Sequence, residues 1–205
     1  MAKQKNIKQD NKQRLGIMEK RGISVLIIGT LLFIISLRLD SGIAAAFKNA
    51  ESPVFDPLFS VLTNFGVAMV FLLWIPCMIL YRKNNKVVKL LLLSFLVSFV
   101  LSFLLKLIFL KQRPMGVFEY PFTNIISYSF PSMHAMVIFA LLPITKKYLP
   151  QRRHLFAWFS YLVAFTRIYF GFHFISDVVF GAFFGHFIGM YLIDLHERGI
   201  LWRKV

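Results

Sequence analysis

Long apolar runs recur along this chain with short basic blocks between them, and they are long enough to cross a bilayer. The chain is 58% hydrophobic and 16% charged, well below the charged share of about 25% usual in soluble domains. The expected fold class is therefore all-α: a polytopic membrane protein with six transmembrane helices in a bundle. The predicted spans are 22–39, 58–81, 90–110, 133–145, 155–170 and 178–195. Short connections predict antiparallel neighbours. A retained first span is preferred over a cleaved signal peptide, because a long basic segment precedes it. The chain divides into a basic tail, residues 1–21, read as irregular or interfacial, and one membrane domain, residues 22–205.

The formal net charge of +15 does not point to nucleic acid, since the charges lie in short blocks between apolar runs. Their distribution sets orientation instead. The tail holds seven Lys and Arg, the second-to-third loop four, the fourth-to-fifth loop four and the C-terminal end three. These 18 of the 24 basic residues fall on one side, expected to be cytoplasmic along with both termini. The third-to-fourth loop, around Glu119, then faces outside. The single cysteine, Cys77, lies inside an apolar run, reads as a small buried hydrophobe and permits no disulfide or Cys-based metal site within the chain.

Polar residues break the apolar pattern in three clusters, all expected at the non-cytoplasmic end. The first is Lys106, then Arg113 and Pro114. Two helical turns would put Lys106 and Arg113 on one face. Lys106 alone would fit snorkelling to the interface, but with Arg113 and Arg167 an anion site explains it better. The second cluster, Pro131-Ser132-Met133-His134, opens the fourth helix. The free N–H groups of such a turn attract anions, Ser132 adds a hydroxyl and His134 faces what the turn binds. The third holds Thr166, Arg167, His173 and Asp177. A carboxylate four residues after a histidine can accept one ring N–H and free the other nitrogen to attack. Thr166 either contributes a hydroxyl or packs. Tyr169, Phe170, Phe172 and Phe174 read as a lipid-facing wall.

In the sixth span, Gly181, Gly185 and Gly189 form a stripe that lets a neighbouring helix approach. His186, beside that stripe, reads as a hydrogen-bonded bundle residue. Pro143 is expected to kink or end the fourth helix.

The three clusters resemble, in order and spacing, the signature motifs of the type 2 phosphatidate phosphatase superfamily, which includes lipid phosphate phosphatases and bacterial undecaprenyl diphosphate phosphatases. Lys106, Arg113 and Pro114 match the first motif; Pro131, Ser132 and His134 the second; Arg167, His173 and Asp177 the third. The first two spans agree by topology only. Met133 stands where the family usually has Gly, and Thr166 where it usually has Ser. Thr keeps the hydroxyl, whereas Met keeps the backbone N–H but adds bulk beside the phosphate site.

The resemblance implies that His173 is the nucleophile, that Asp177 orients it, and that His134 protonates the leaving oxygen and then activates water. Lys106, Arg113, Ser132, Met133 and Arg167 would hold the phosphate, with no metal and no cofactor. The implied activity is hydrolysis of a lipid phosphate or diphosphate through a phosphohistidine, with the bilayer and its lipids as partners and a bacterial or archaeal cell membrane as location. Undecaprenyl diphosphate is the favoured substrate, with phosphatidate and phosphatidylglycerol phosphate as alternatives. The fourth span has thirteen residues before Lys146, or about 20 Å of helix against a hydrocarbon core of about 30 Å. A site at its start would be recessed and suited to a lipid entering sideways. The competing functions are transfer of the phosphoryl group to a lipid or sugar hydroxyl, and lipid binding or transport without catalysis.

Overall fold

The structure is a computed structural model that describes residues 2–48, 50, 52–114 and 127–202, with side chains from residue 20 onward. The expected outer loop around Glu119 lies outside the described residues. All long regular elements among the described residues are helices: α1 (Ala2–Phe47), α2 (Phe55–Thr63), α3 (Phe65–Tyr81), α4 (Asn85–Phe109), α5 (Met133–Tyr148), α6 (Arg153–Tyr169) and α7 (Ile175–Glu197). The basic segment at the start continues α1 as helix back to Ala2. The part of α1 from Lys20 to Phe47, together with α4 and α7, is long and apolar enough to cross a membrane. The α2–α3 pair qualifies as a fourth, broken span. Helices α5 and α6 have 16 and 17 residues, or about 24–26 Å each. The chain is an integral membrane protein.

The predicted second span is not one rod. It breaks at Asn64 with a bend of 64° between α2 and α3. Asn64 is extended, and its side-chain oxygen accepts from the N–H groups of Gly66 and Val67, which starts α3 afresh. The break leaves carbonyls at the end of α2 free for partners outside their own helix. A π-helical turn over Val70–Trp74 precedes Pro76, which lacks the N–H of an ordinary helical ladder.

Helix α5 forms the axis of the bundle. Every side chain from Ala135 to Thr145 is buried, with α4, α6 and α7 packed around it. Pro143 does not end it: the helix runs on to Tyr148, with Lys146 and Lys147 in the last turn, where cations favour the helix dipole. The glycine stripe of α7 lies directly on α5. Gly181 faces the Ser132 carbonyl, Gly185 that of Met136 and Gly189 that of Ala140. From the other side, Ser94 of α4 donates to the Ala140 carbonyl at 3.1 Å. Helix α1 rests on the outer face of α7, with Gly29 beneath the Phe183 ring.

A Cβ on Gly185 would overlap the Met136 carbonyl, a backbone group that cannot swing away. Gly185→Ala should destabilise the protein by about 1–3 kcal/mol, as overpacking does, and lower its unfolding temperature in detergent. Gly42→Ala, inside α1 and with no neighbour within 4 Å, should not lower that temperature and should raise it slightly, as Ala suits a helix interior better than Gly.

Candidate active site

The three polar clusters meet at one end of the bundle, where α4 ends and α5 and α7 begin. The backbone stitches the segments together: Ser132 N–H donates to the Asp177 carbonyl at 3.1 Å, and His173 N–H to the Arg167 carbonyl at 3.1 Å. Gly171, at φ 63°, makes the turn that folds His173 back over the end of α6. Lys106 and Arg113 do not share a helical face as their spacing predicted. Helix α4 stops at Phe109, Leu110 adopts a left-handed conformation, and Arg113 reaches the site from the following loop.

Asp177 is wholly buried. One carboxylate oxygen accepts from Lys111 Nζ at 2.9 Å. The other accepts from the Phe174 N–H at 2.9 Å and from the Ser129 hydroxyl. His173 Nδ1 stands 3.5 Å from Ser129 Oγ and 3.7 Å from Asp177 Oδ2. The expected direct His–Asp bond within one helical turn is therefore replaced by a three-membered arrangement. His173 lies in the loop before α7 rather than on the helix, and the Ser129 hydroxyl, bonded to the carboxylate, stands at nearly the same distance from Nδ1 as the carboxylate does. With Nδ1 turned towards these acceptors, the tautomer that serves them carries its proton there and leaves the lone pair on Nε2. Burial, followed by the charges of Lys106, Arg167 and Arg113, pushes the His173 imidazole well below its ordinary pKa. This favours the neutral imidazole at neutral pH.

Lys111 carries the network outward to the first helix. Its ammonium also reaches Asp40 at 3.0 Å and the Ser176 hydroxyl at 2.9 Å, and packs over the Phe174 ring. Asp40 in turn accepts from Ser176 N–H at 2.9 Å and from its hydroxyl at 2.6 Å. The end of α1 is thereby tied to the carboxylate behind His173.

Neutral groups help to orient the three cations. Lys106 Nζ donates to the Tyr128 carbonyl at 2.5 Å. Arg113 donates to the carbonyls of Ser127 and Phe172 at 2.9 and 2.7 Å. Arg167 donates to the Thr63 hydroxyl at 2.7 Å and stacks on the Phe172 ring at 4.5 Å. Phe172 and Phe174 are therefore platforms for cations rather than parts of a lipid-facing wall. The Thr63 backbone also hydrogen-bonds the His134 ring, while His134 Nε2 has no partner among the described residues. The break at Asn64 thus helps to set the positions of both His134 and Arg167.

A cavity of about 450 Å³ joins these groups. Lys106, Arg113, Met133, His134, Arg167 and His173 line its polar part; Phe65, Phe99, Val100 and Phe103 make the rest apolar and place it between α3 and α4. Ser132 is buried, lies outside this lining, and its hydroxyl has no partner among the described residues. The Thr166 hydroxyl bonds the Val163 carbonyl of its own helix at 2.7 Å, which is the packing reading.

Sequence reasoning missed Ser129, Lys111, Asp40 and Thr63 as parts of the site. Signals existed for three of them. Lys111 sits within the first cluster, Asp40 is a carboxylate at the end of an apolar run, and Asn64 with Gly66 interrupts another run just after Thr63. Ser129 had no distinguishing mark beyond lying close to the second cluster.

A model of the PAP2 superfamily matches residues 86–200, more than half of the chain. Comparison with curated protein sequences gives no significant match. Among solved structures, a transmembrane PAP2-type phosphatidylglycerolphosphate phosphatase from Bacillus subtilis is similar, with a TM-score of 0.67 and 20% identity over 86% of this chain and 96% of the other. Aquifex aeolicus LpxE is also similar, with a TM-score of 0.62 and 24% identity over 76% of this chain and 94% of the other. At these identities the solved structures establish the fold alone, while the sequence match from the start of α4 to the end of α7 encloses all three clusters, and the chain belongs to the PAP2 superfamily.

Proposed function

We propose that this protein is a metal-independent lipid phosphatase that works through a phosphohistidine on His173. The observation that carries the reading is the cavity itself. One end gathers three cations and two imidazoles, and the other is built of Phe and Val between two helices. A phosphate with a long apolar substituent satisfies both ends; a soluble phosphate ester has no use for the second.

In the first step His173 Nε2 attacks the terminal phosphorus and the bond to the leaving oxygen breaks, which is the lipid alkoxide oxygen of a monophosphate or the bridging oxygen of a diphosphate. His134, protonated at Nε2, gives that proton to the leaving oxygen. In the second step His134 takes a proton from water, the water oxygen bonds to phosphorus, and the P–N bond to His173 breaks, releasing inorganic phosphate. The Thr63 carbonyl holds the His134 Nδ1 proton throughout, so transfer is confined to Nε2. Lys106, Arg113 and Arg167 stabilise the charge on the equatorial oxygens, the task that metal ions perform in other phosphoryl-transfer enzymes.

A polyprenyl diphosphate such as undecaprenyl diphosphate is the favoured substrate, followed by phosphatidylglycerol phosphate and phosphatidate. Transfer to a hydroxyl acceptor is the second reading. It rests on Met133, whose side chain lines the cavity where relatives usually carry Gly and so narrows the space beside phosphorus.

Purified protein should release inorganic phosphate from a panel of these lipids without any added acceptor, equally well in the presence of a chelator. Release only with an acceptor would favour transfer. Loss in chelator, restored by a divalent cation, would contradict the cation account.

Lys111→Met should lower kcat by about 10–100-fold with KM little changed, the cost of a buried charge-assisted hydrogen bond of about 1.5–3 kcal/mol. The depressed His173 pKa keeps the nucleophile neutral as pH falls, so the acid limb of kcat/KM should lie below the ordinary histidine range. Without Lys111, the Asp177 charge is less compensated and favours the imidazolium, so this limb should move to higher pH in the variant.

A further inference from the structure

A second cavity, of about 690 Å³, opens at the far end of the bundle between α1, α5 and α7. Arg21, Lys146, Lys147 and His186 supply its polar side, and Val25 and Met190 are among its apolar lining. Lys147 is paired with Glu197. Neither Arg21 nor Lys146 forms an ion pair among the described residues. His186 has no place in the catalytic account, since it lies nine residues beyond Asp177, about 13 Å along α7. It is not the hydrogen-bonded bundle residue expected from sequence, because it makes no hydrogen bond among the described residues and faces this cavity instead.

The orientation of the chain explains why cations collect at this end, but it asks only that they sit at the interface. It does not explain a recess between three helices with an imidazole in its wall. Two cations with no carboxylate partner among the described residues, beside an imidazole and an apolar face, match an amphiphile that carries a phosphate. Basic pockets between membrane helices bind anionic headgroups for this reason.

We propose that this cavity binds the phosphate of an anionic phospholipid from the leaflet opposite the catalytic end. Arg21 and Lys146 take the phosphate oxygens, His186 hydrogen-bonds the headgroup, and the acyl chains follow the Val25 and Met190 side. A soluble phosphate compound would share the same chemistry, and the test separates the two sources.

Full-length protein in detergent is titrated with phosphatidylglycerol or phosphatidylcholine and bound lipids are counted by native mass spectrometry. The wild type should hold one more phosphatidylglycerol than Arg21→Gln/Lys146→Gln, with no such difference for phosphatidylcholine. Arg82→Gln/Lys83→Gln, which removes exposed charge in the α3–α4 connection away from the cavity lining, should behave as wild type. His186→Phe should weaken retention at least threefold with both cations in place. Thermal unfolding of each variant confirms that it is folded. Binding of glycerol 3-phosphate that is lost in the Arg21/Lys146 variant, without retention of phosphatidylglycerol, would assign the site to a soluble phosphate. Equal phosphatidylglycerol counts in wild type and the Arg21/Lys146 variant with no glycerol 3-phosphate binding, or an unchanged affinity in His186→Phe, would overturn the proposal.

Discussion

The candidate active site depends on how one buried carboxylate, Asp177, is satisfied. Asp177 has no access to water, and an ionised carboxylate without partners in such a place is prohibitively costly. Its partners come from three directions: Lys111 after α4, Ser129 before α5 and the Phe174 N–H before α7; Lys111 also pairs with Asp40 of α1. Satisfying that charge therefore assembles the site. The same bonds that lower the cost of the carboxylate bring the loops bearing Arg113 and His173 to the start of α5 and fix the face that His173 presents.

A second constraint is the break at Asn64. A continuous helix would use the Thr63 carbonyl in its own ladder. Because α2 stops there, that carbonyl and its hydroxyl serve His134 and Arg167. The bend also sets Phe65, the first residue of α3, edge-on against the His134 ring at 4.9 Å and on the wall of the cavity. One interruption of the helix thus positions two candidate site residues and helps to form the apolar side of the cavity.

Much of this was legible in the sequence because it depends on residue type and local period. The apolar runs marked the helices, Gly181, Gly185 and Gly189 marked the contact with α5, and the spacing of Lys106, Arg113, His134, Arg167, His173 and Asp177 marked the site. What was not legible depends on chain reversals. Helical spacing placed Arg113 beside Lys106 on one rod, whereas the left-handed Leu110 ends that rod first. Four-residue spacing suggested a direct His173–Asp177 bond, but with His173 in a loop its Nδ1 stands 3.7 Å from the carboxylate, with the Ser129 hydroxyl as close at 3.5 Å. Asp40 lies 137 residues before Asp177 in the chain, and no local pattern connects them. Ser132 matched its motif by position, yet the packing of α5 against α7 buries it outside the cavity lining.

The central claim is that His173 carries the phosphoryl group while His134 moves protons. It is tested most directly by rapid quenching of the protein with lipid phosphate radiolabelled at phosphorus, followed by peptide mapping under alkaline conditions that preserve phosphohistidine. The account predicts an acid-labile label on His173, accumulating in His134→Ala because water is no longer activated, and absent from His173→Ala. A label mapped to His134, or a phosphoenzyme that persists in His173→Ala, would contradict it.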